Sequence, residues 1–390
     1  MRISIILTCL AITIVSHSIA QSDFSTVYTS GTEGHKSYRI PAIIQSPNGD
    51  LLAFAEGRVK GSGDFGDINI VLKRSTDKGK TWSALETIVN FDSLQAGNPA
   101  PVVDLTDPRY PKGRIFLFYN TGNNHEGEVR KGKGIREVWY KTSIDNGLTW
   151  SEAVNITLQT HRPKQPLVNA AYNFSEDWRT YANTPGHAFQ FSGPVHKGRI
   201  YVAANHTQGE PKPRYTECFA HGYYTDDHGK TFHLSENVEM PGGNEATAAE
   251  ISGGRLMMNA RNQKGDIKAR IVAISKDGGV KWDSVYFDKN LFDPVCEGAI
   301  LTIGKKGKKN ILAFCNAADT IRRNNLTLRI SYNDGQTWTK QFLLDSAPAE
   351  IAKKDFTAYS DIVIHDKNSI GVLYERDGYS QIVYKVVKWK

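Results

Sequence analysis

The sequence predicts an all-β chain in which small antiparallel sheets repeat around an axis, a β-propeller. Three observations carry that prediction. An eight-residue box occurs five times, and its clearest copy runs from Ser75 to Trp82. The others begin at Ser143, Thr225, Ser275 and Ser331, on the pattern Ser/Thr-x-Asp-x-Gly-x-Thr-Trp, with Phe232, Lys281 and Asn333 as departures. Each box follows a β-rich run such as Ile68 to Leu72 or Leu326 to Ile330, and glycine fills 34 of 390 positions, as a turn-rich chain requires. Repeated β units of this kind are a repeat architecture, and radial repetition is one way to avoid long exposed sheet edges.

Within a box, the Asp side chain is expected to accept backbone N–H groups two residues on, while Gly supplies a positive φ. The ring that follows can bury itself between neighbouring sheets and fix the turn. These boxes resemble the Asp-boxes of the sialidase (neuraminidase) superfamily. The resemblance implies six blades, each a four-stranded antiparallel sheet, forming a single catalytic domain over residues 21–390. In that family the boxes lie away from the active site, so their aspartates read as structural.

Bulk properties narrow the alternatives. A formal charge of +7 is modest for this length and dispersed along the chain, and no nucleic-acid-binding motif is present. Residues 1–20 read as a signal peptide: Arg2, an apolar stretch from Ile3 to Val15, and a small-x-small ending at Ser18-Ile19-Ala20. The expected product is a secreted or periplasmic monomer with no membrane span. Of the cysteines, Cys218, Cys296 and Cys315 remain after that cleavage; either Cys296 pairs with Cys315 or all three are buried thiols. No Cys-x-x-Cys or His-x-x-x-His occurs, so no transition metal and no cofactor is expected.

Taken in order, the first informative run is Ser37 to Ile44, a buried-strand pattern with Arg39 forced in beside Pro41. Burying a guanidinium requires an anion, either an internal carboxylate or a ligand. In sialidases a Tyr/Phe-Arg-Ile-Pro run opens the first blade and its arginine grips the substrate carboxylate, which Arg39 matches. Glu56-Gly57-Arg58 then leads to a glycine-hinged loop carrying Asp64 and Asp67. By resemblance Asp64 is the general acid/base, Asp67 its fallback, and Arg58 a substrate-binding residue. Asn98, in a Pro-flanked strand opening, is a further pocket candidate. The long gap between the second and third boxes holds Trp178, Tyr181 and His187, candidates for substrate contact.

Asn244-Glu245, followed one hairpin later by Leu256-x-x-Asn259-x-Arg261, is similar to the family's Asn-Glu and Leu-x-x-Asn-x-Arg runs. Glu245 and Arg261 are carried over on that match, with Glu250 as a supporting partner. Arg323 fits the spacing of the third carboxylate-binding arginine better than Arg322, and Arg329 reads as structural. Tyr359, within Phe356 to Asp361, matches the segment that carries the catalytic tyrosine.

The substrate chemistry explains these residue types. Sialic acid bears a carboxylate on its anomeric carbon, which arginines bind bidentately. That carboxylate would repel an Asp or Glu nucleophile, whereas a neutral phenol avoids the repulsion. The resemblance therefore implies a retaining exo-α-sialidase acting on terminal sialic acids of glycoproteins, glycolipids and oligosaccharides. Catalysis would rest on Asp64, Glu245 and Tyr359, and binding on Arg39, Arg58, Arg261 and Arg323. The alternatives are a glycosidase for a related ulosonic acid (deaminated sialic acid or Kdo), a trans-sialidase, and a non-enzymatic glycan-binding propeller.

Overall fold

The computed structural model describes residues 23–351 and 354–390. The expected signal peptide lies outside the described residues. None of their helices is long and apolar enough to cross a membrane.

The described residues form five hydrogen-bonded sheets, three of four strands, one of five and one of eight. The eight-stranded sheet is two units joined by a single parallel bridge, Ile68 with Gln95. Divided there, the chain forms six antiparallel units in sequence order. Their innermost strands are Ser37–Gln45, Gln95–Asp104, Trp178–Asn183, Gly243–Ile251, Gly298–Lys306 and Thr357–Asp366. The sixth unit is completed by Ser25–Thr29, which pairs with Gln381–Lys388, so the start of the described chain closes the ring. Apolar clusters fill the interfaces between neighbouring units, as where Phe54 and Leu72 of the first meet Ile115 and Leu117 of the second.

The boxes stabilise the outer turns. Asp77 Oδ1 accepts the N–H groups of Lys80 and Thr81 at 3.0 and 2.9 Å, three and four residues on rather than the expected two. Ser75 Oγ accepts the Gly79 N–H at 2.7 Å, so the serine that opens the box also closes the turn. Positive φ occupies two successive positions, Lys78 at 62° and Gly79 at 80°. A Cβ on Gly79 would lie 2.3 Å from the Tyr384 ring, so this glycine also permits close packing.

A feature that the sequence reading did not anticipate positions the site. Five of the six inner strands carry one extra residue near their first residues, at Arg39/Ala42, Gly97/Ala100, Trp178/Tyr181, Gly243/Ala246 and Thr357/Ser360. Such β-bulges re-aim side chains and interrupt pairing. Asn98, Glu245 and Tyr359 lie inside three of them, and Ile40 and Asn98 have φ of 58° and 54°.

The cysteine alternatives resolve to thiols: Cys218, Cys296 and Cys315 are all free and buried. At the opposite end of the second inner strand, Asp104, Asp107 and His228 come close together. Asp107 is already paired with Arg109 and Arg114 at 2.8 and 3.1 Å, and His228 with Asp104 at 2.8 Å.

Candidate active site

The bulged ends of the inner strands surround a cleft of about 410 Å³. Arg39, Arg58, Asp64, Glu245, Arg261, Arg323 and Tyr359 all line it, although they come from points spread over most of the chain. The choice between paired candidates follows from position. Arg323 and Asp64 line the cleft; Arg322 and Asp67 do not.

At its centre, Tyr359 and Glu245 are joined. The phenol donates to the Glu245 carboxylate at 2.6 Å and accepts from Arg261 Nη1–H at 2.8 Å. The same Arg261 nitrogen donates to Glu245 Oε2 at 2.6 Å. Register explains the convergence: Arg261 lies between the pairs Gly243–Asn262 and Ala246–Ala260, opposite the bulge that contains Glu245. Burial raises the Tyr359 pKa well above the usual phenol value and Glu245 adds to this, while Arg261 and Arg323 act against it. The group is a neutral phenol whose proton already points at a carboxylate.

The arginines have different partners. Arg39 Nε–H donates to Glu375 at 2.6 Å, so the internal ion pair considered for it exists while its side chain also reaches the cleft. Its guanidinium lies 5.2 Å from the Tyr359 ring centre, and that of Arg323 5.3 Å. Arg323 donates to the Tyr379 hydroxyl and the Val295 carbonyl, both at 3.3 Å, and among the described residues it forms no ion pair. Arg58 is buried between Glu56 and Asp64, each at 2.7 Å. Asp64 itself is largely exposed. Desolvation raises its pKa, but Arg58 and Arg39 outweigh this and hold it below the usual carboxylate value.

Several cleft residues were missed by sequence reasoning. Glu126 and Arg130 come from a loop with one short helix, Glu126–Val129, and Arg136 from the strand that follows. Arg136 is buried and gives Nη1–H to the Asn124 carbonyl, at 3.0 Å; burial lowers its pKa, offset in part by Glu126 and Glu56. Tyr215 lies 4.0 Å beneath the Arg130 guanidinium. Glu375 is also new: Oε1 accepts Arg39 Nε–H and the Ile40 N–H, and Oε2 the Tyr359 N–H. No local motif marks these residues, because their importance arises only when separate blades converge.

Three candidates are corrected. Trp178 is buried and stacks on His206 at 3.5 Å, outside the cleft lining. His187 is buried against Asp361 at 2.6 Å, where Asp361 also accepts the Ile43 N–H at 2.8 Å, so it ties blades together. Glu250 accepts the N–H groups of Ser192 and Gly193 and supports an interface between blades instead of Glu245 or Arg261. Tyr181 and Asn98 do line the cleft.

Fold and site together define a β-propeller whose central cleft combines an arginine cluster with a carboxylate-backed tyrosine. The family model described as BNR repeat-like domain matches residues 49–372. A sialidase of Micromonospora viridifaciens is 30% identical over 88% of this chain and 50% of its own length. An exo-alpha-sialidase of Arthroderma benhamiae is 30% identical over 89% of this chain and 79% of its own. The solved Hadza microbial sialidase Hz136 superposes with a TM-score of 0.77 at 25% identity, covering 94% of this chain and 68% of that one. The chain belongs to the sialidase family with BNR repeats. It spans about half the length of the Micromonospora relative and 63% of a Bacteroides fragilis sialidase.

Proposed function

We propose that this chain is an exported exo-α-sialidase that releases terminal α-linked sialic acids from glycoconjugates with retention, through a covalent intermediate on Tyr359. The observation that carries this reading is the hydrogen-bonded set Tyr359–Glu245–Arg261 beneath two further arginines. Glycosidases generally use two carboxylates, and sialidases with a tyrosine nucleophile are an established exception. The geometry here is consistent with that exception.

The substrate carboxylate docks on Arg39, Arg261 and Arg323, which places the anomeric carbon over the Tyr359 hydroxyl. As the Tyr359 oxygen bonds to that carbon, its proton passes to Glu245. The bond to the aglycone oxygen breaks, and Asp64 protonates that oxygen. Water then attacks the anomeric carbon and gives a proton to Asp64, while the tyrosyl oxygen departs and recovers its proton from Glu245. Two displacements at one carbon retain configuration.

The test compares wild type, Tyr359→Phe and Asp64→Ala on methylumbelliferyl α-sialoside. Turnover by wild type with severe loss in Tyr359→Phe supports the reading. A folded wild type that binds sialic acid without turnover would instead identify a glycan-binding propeller.

A further inference from the structure

The loop that carries Asp64 has little packing of its own. A Cβ placed on Gly61, Gly63 or Gly66 would meet nothing within 4 Å. The loop is closed at its base by the Val59 N–H to the Asp67 carbonyl at 3.0 Å. Arg58 holds its inner side, at the Ser62 carbonyl and at Asp64. Its tip reaches a different blade: the Phe65 ring lies 4.8 Å from that of His125, tilted by 56°.

His125 stands on a much firmer segment. Asn123 accepts the Ile135 N–H at 2.8 Å, Asn124 donates to the Lys133 carbonyl at 2.6 Å, and Val129 is fully buried. His125 itself begins the short helix whose first residue, Glu126, lines the cleft. Neither Phe65 nor His125 lines the cleft, so neither is placed to touch substrate.

We infer that Phe65 and His125 form a latch across two blades that positions Asp64 for proton transfer to the leaving group. The inference rests on the proposed acid/base role of Asp64. A glycine-rich loop without a latch samples many conformations, and in most of them the carboxyl is out of reach of the glycosidic oxygen. The aromatic contact selects the conformations in which it is within reach. In the second displacement, where Asp64 takes a proton from water, the latch matters alike for every substrate. In the first it matters only where the leaving group needs a proton, and kcat/KM, which ends at that first displacement, separates it from general structural support.

The experiment measures kcat/KM for Phe65→Ala, His125→Ala, the double variant, Phe65→Tyr and Asp64→Ala. Each is assayed on sialyl-lactose, whose leaving group needs protonation, and on methylumbelliferyl α-sialoside, whose leaving group needs little. For each alanine variant kcat/KM on sialyl-lactose should fall about two- to tenfold, the range of one aromatic pair. The kcat/KM for the aryl sialoside should change far less. The double variant should be no worse than either single one, and Phe65→Tyr should restore activity. Equal loss on both substrates, or no loss on either, overturns the latch. If Asp64→Ala separates the substrates but Phe65→Ala does not, the latch fails alone. If Asp64→Ala does not separate them, the acid/base role of Asp64 fails, and the latch with it.

Discussion

Glu375 joins Arg39 to Tyr359: one carboxylate oxygen accepts Arg39 Nε–H at 2.6 Å, and the other accepts the Tyr359 main-chain N–H at 3.2 Å. Glu375 lies between the pairs Thr357–Arg376 and Ser360–Tyr374, opposite the bulge that turns Tyr359 toward the cleft. A single fully buried acid therefore fixes a cleft-lining cation and the strand that bears the phenol. Replacing it with alanine leaves the Arg39 cation without its partner, and breaking a buried pair costs about 3–5 kcal/mol. Glu375→Ala should lower the unfolding free energy by that order in denaturant titration. Glu375→Gln, which keeps an acceptor, should fold better while still losing activity, because Arg39 loses its charged partner.

Among the described residues Arg323 has no competing carboxylate contact, so its contribution should appear in ligand binding more than in stability. A charged hydrogen bond contributes about 1.5–3 kcal/mol. Arg323→Ala should therefore weaken binding of sialic acid by roughly ten- to a hundredfold, measured by calorimetry. Its melting temperature should change little.

The Asp64 ion pair predicts a specific pH behaviour. In the proposed mechanism Asp64 must be protonated to act as the general acid, so activity on sialyl-lactose should fall as pH rises through the Asp64 pKa. In the free protein Arg58 and Arg39 hold that pKa below the ordinary Asp value, against the effect of desolvation. A substrate carboxylate on Arg39 offsets part of this positive field and raises the Asp64 pKa. The descending limb of kcat should thus lie at higher pH than that of kcat/KM, since kcat reports the complex and kcat/KM the free enzyme. Coincident limbs would show that substrate does not alter the Asp64 environment.

Acid stability should be limited by a histidine cluster in the third blade. His161, His206 and His221 are fully buried, and His206 and His221 approach to 3.1 Å through their Nδ1 atoms. Burial depresses all three: His221 to about 3, and His161 and His206 well below the usual value. Their folded pKa values lie below the unfolded value of about 6.5, so the unfolded chain binds more protons below that pH. Their stabilising effect is complete above about pH 6.5 and is lost as pH falls toward 3, at about 1.4 kcal/mol per pH unit for each histidine. Denaturation measured from pH 7 to 4 should show this slope, and His206→Gln should reduce it.

The repeat was legible because the box is local: Asp77, Gly79 and Trp82 act within one turn, and their spacing is the signal. Arg39, Glu245, Arg261 and Tyr359 could be picked out because they sit in short runs similar to those of a known family. Glu375 and Arg136 could not, since a buried acid or arginine in a strand carries no mark of which blade it will face. The same limit explains the corrections. His187 and Trp178 stand in a long connecting segment, as binding residues often do, yet they turn inward to Asp361 and His206. The bulges were equally invisible: one extra residue in a strand leaves the apolar pattern almost unchanged while reversing which side chains face the cleft.

Tyr359 is the proposed nucleophile, and the most direct measurement is mass spectrometry of the protein after brief reaction with a difluorinated sialic acid. Such a compound carries a good leaving group at the anomeric carbon and a neighbouring fluorine that slows the second displacement. Peptide mapping should place one sialyl adduct on Tyr359, absent from Tyr359→Phe. An adduct on Glu245 or Asp64, or full turnover with none formed by an active wild type, would contradict it.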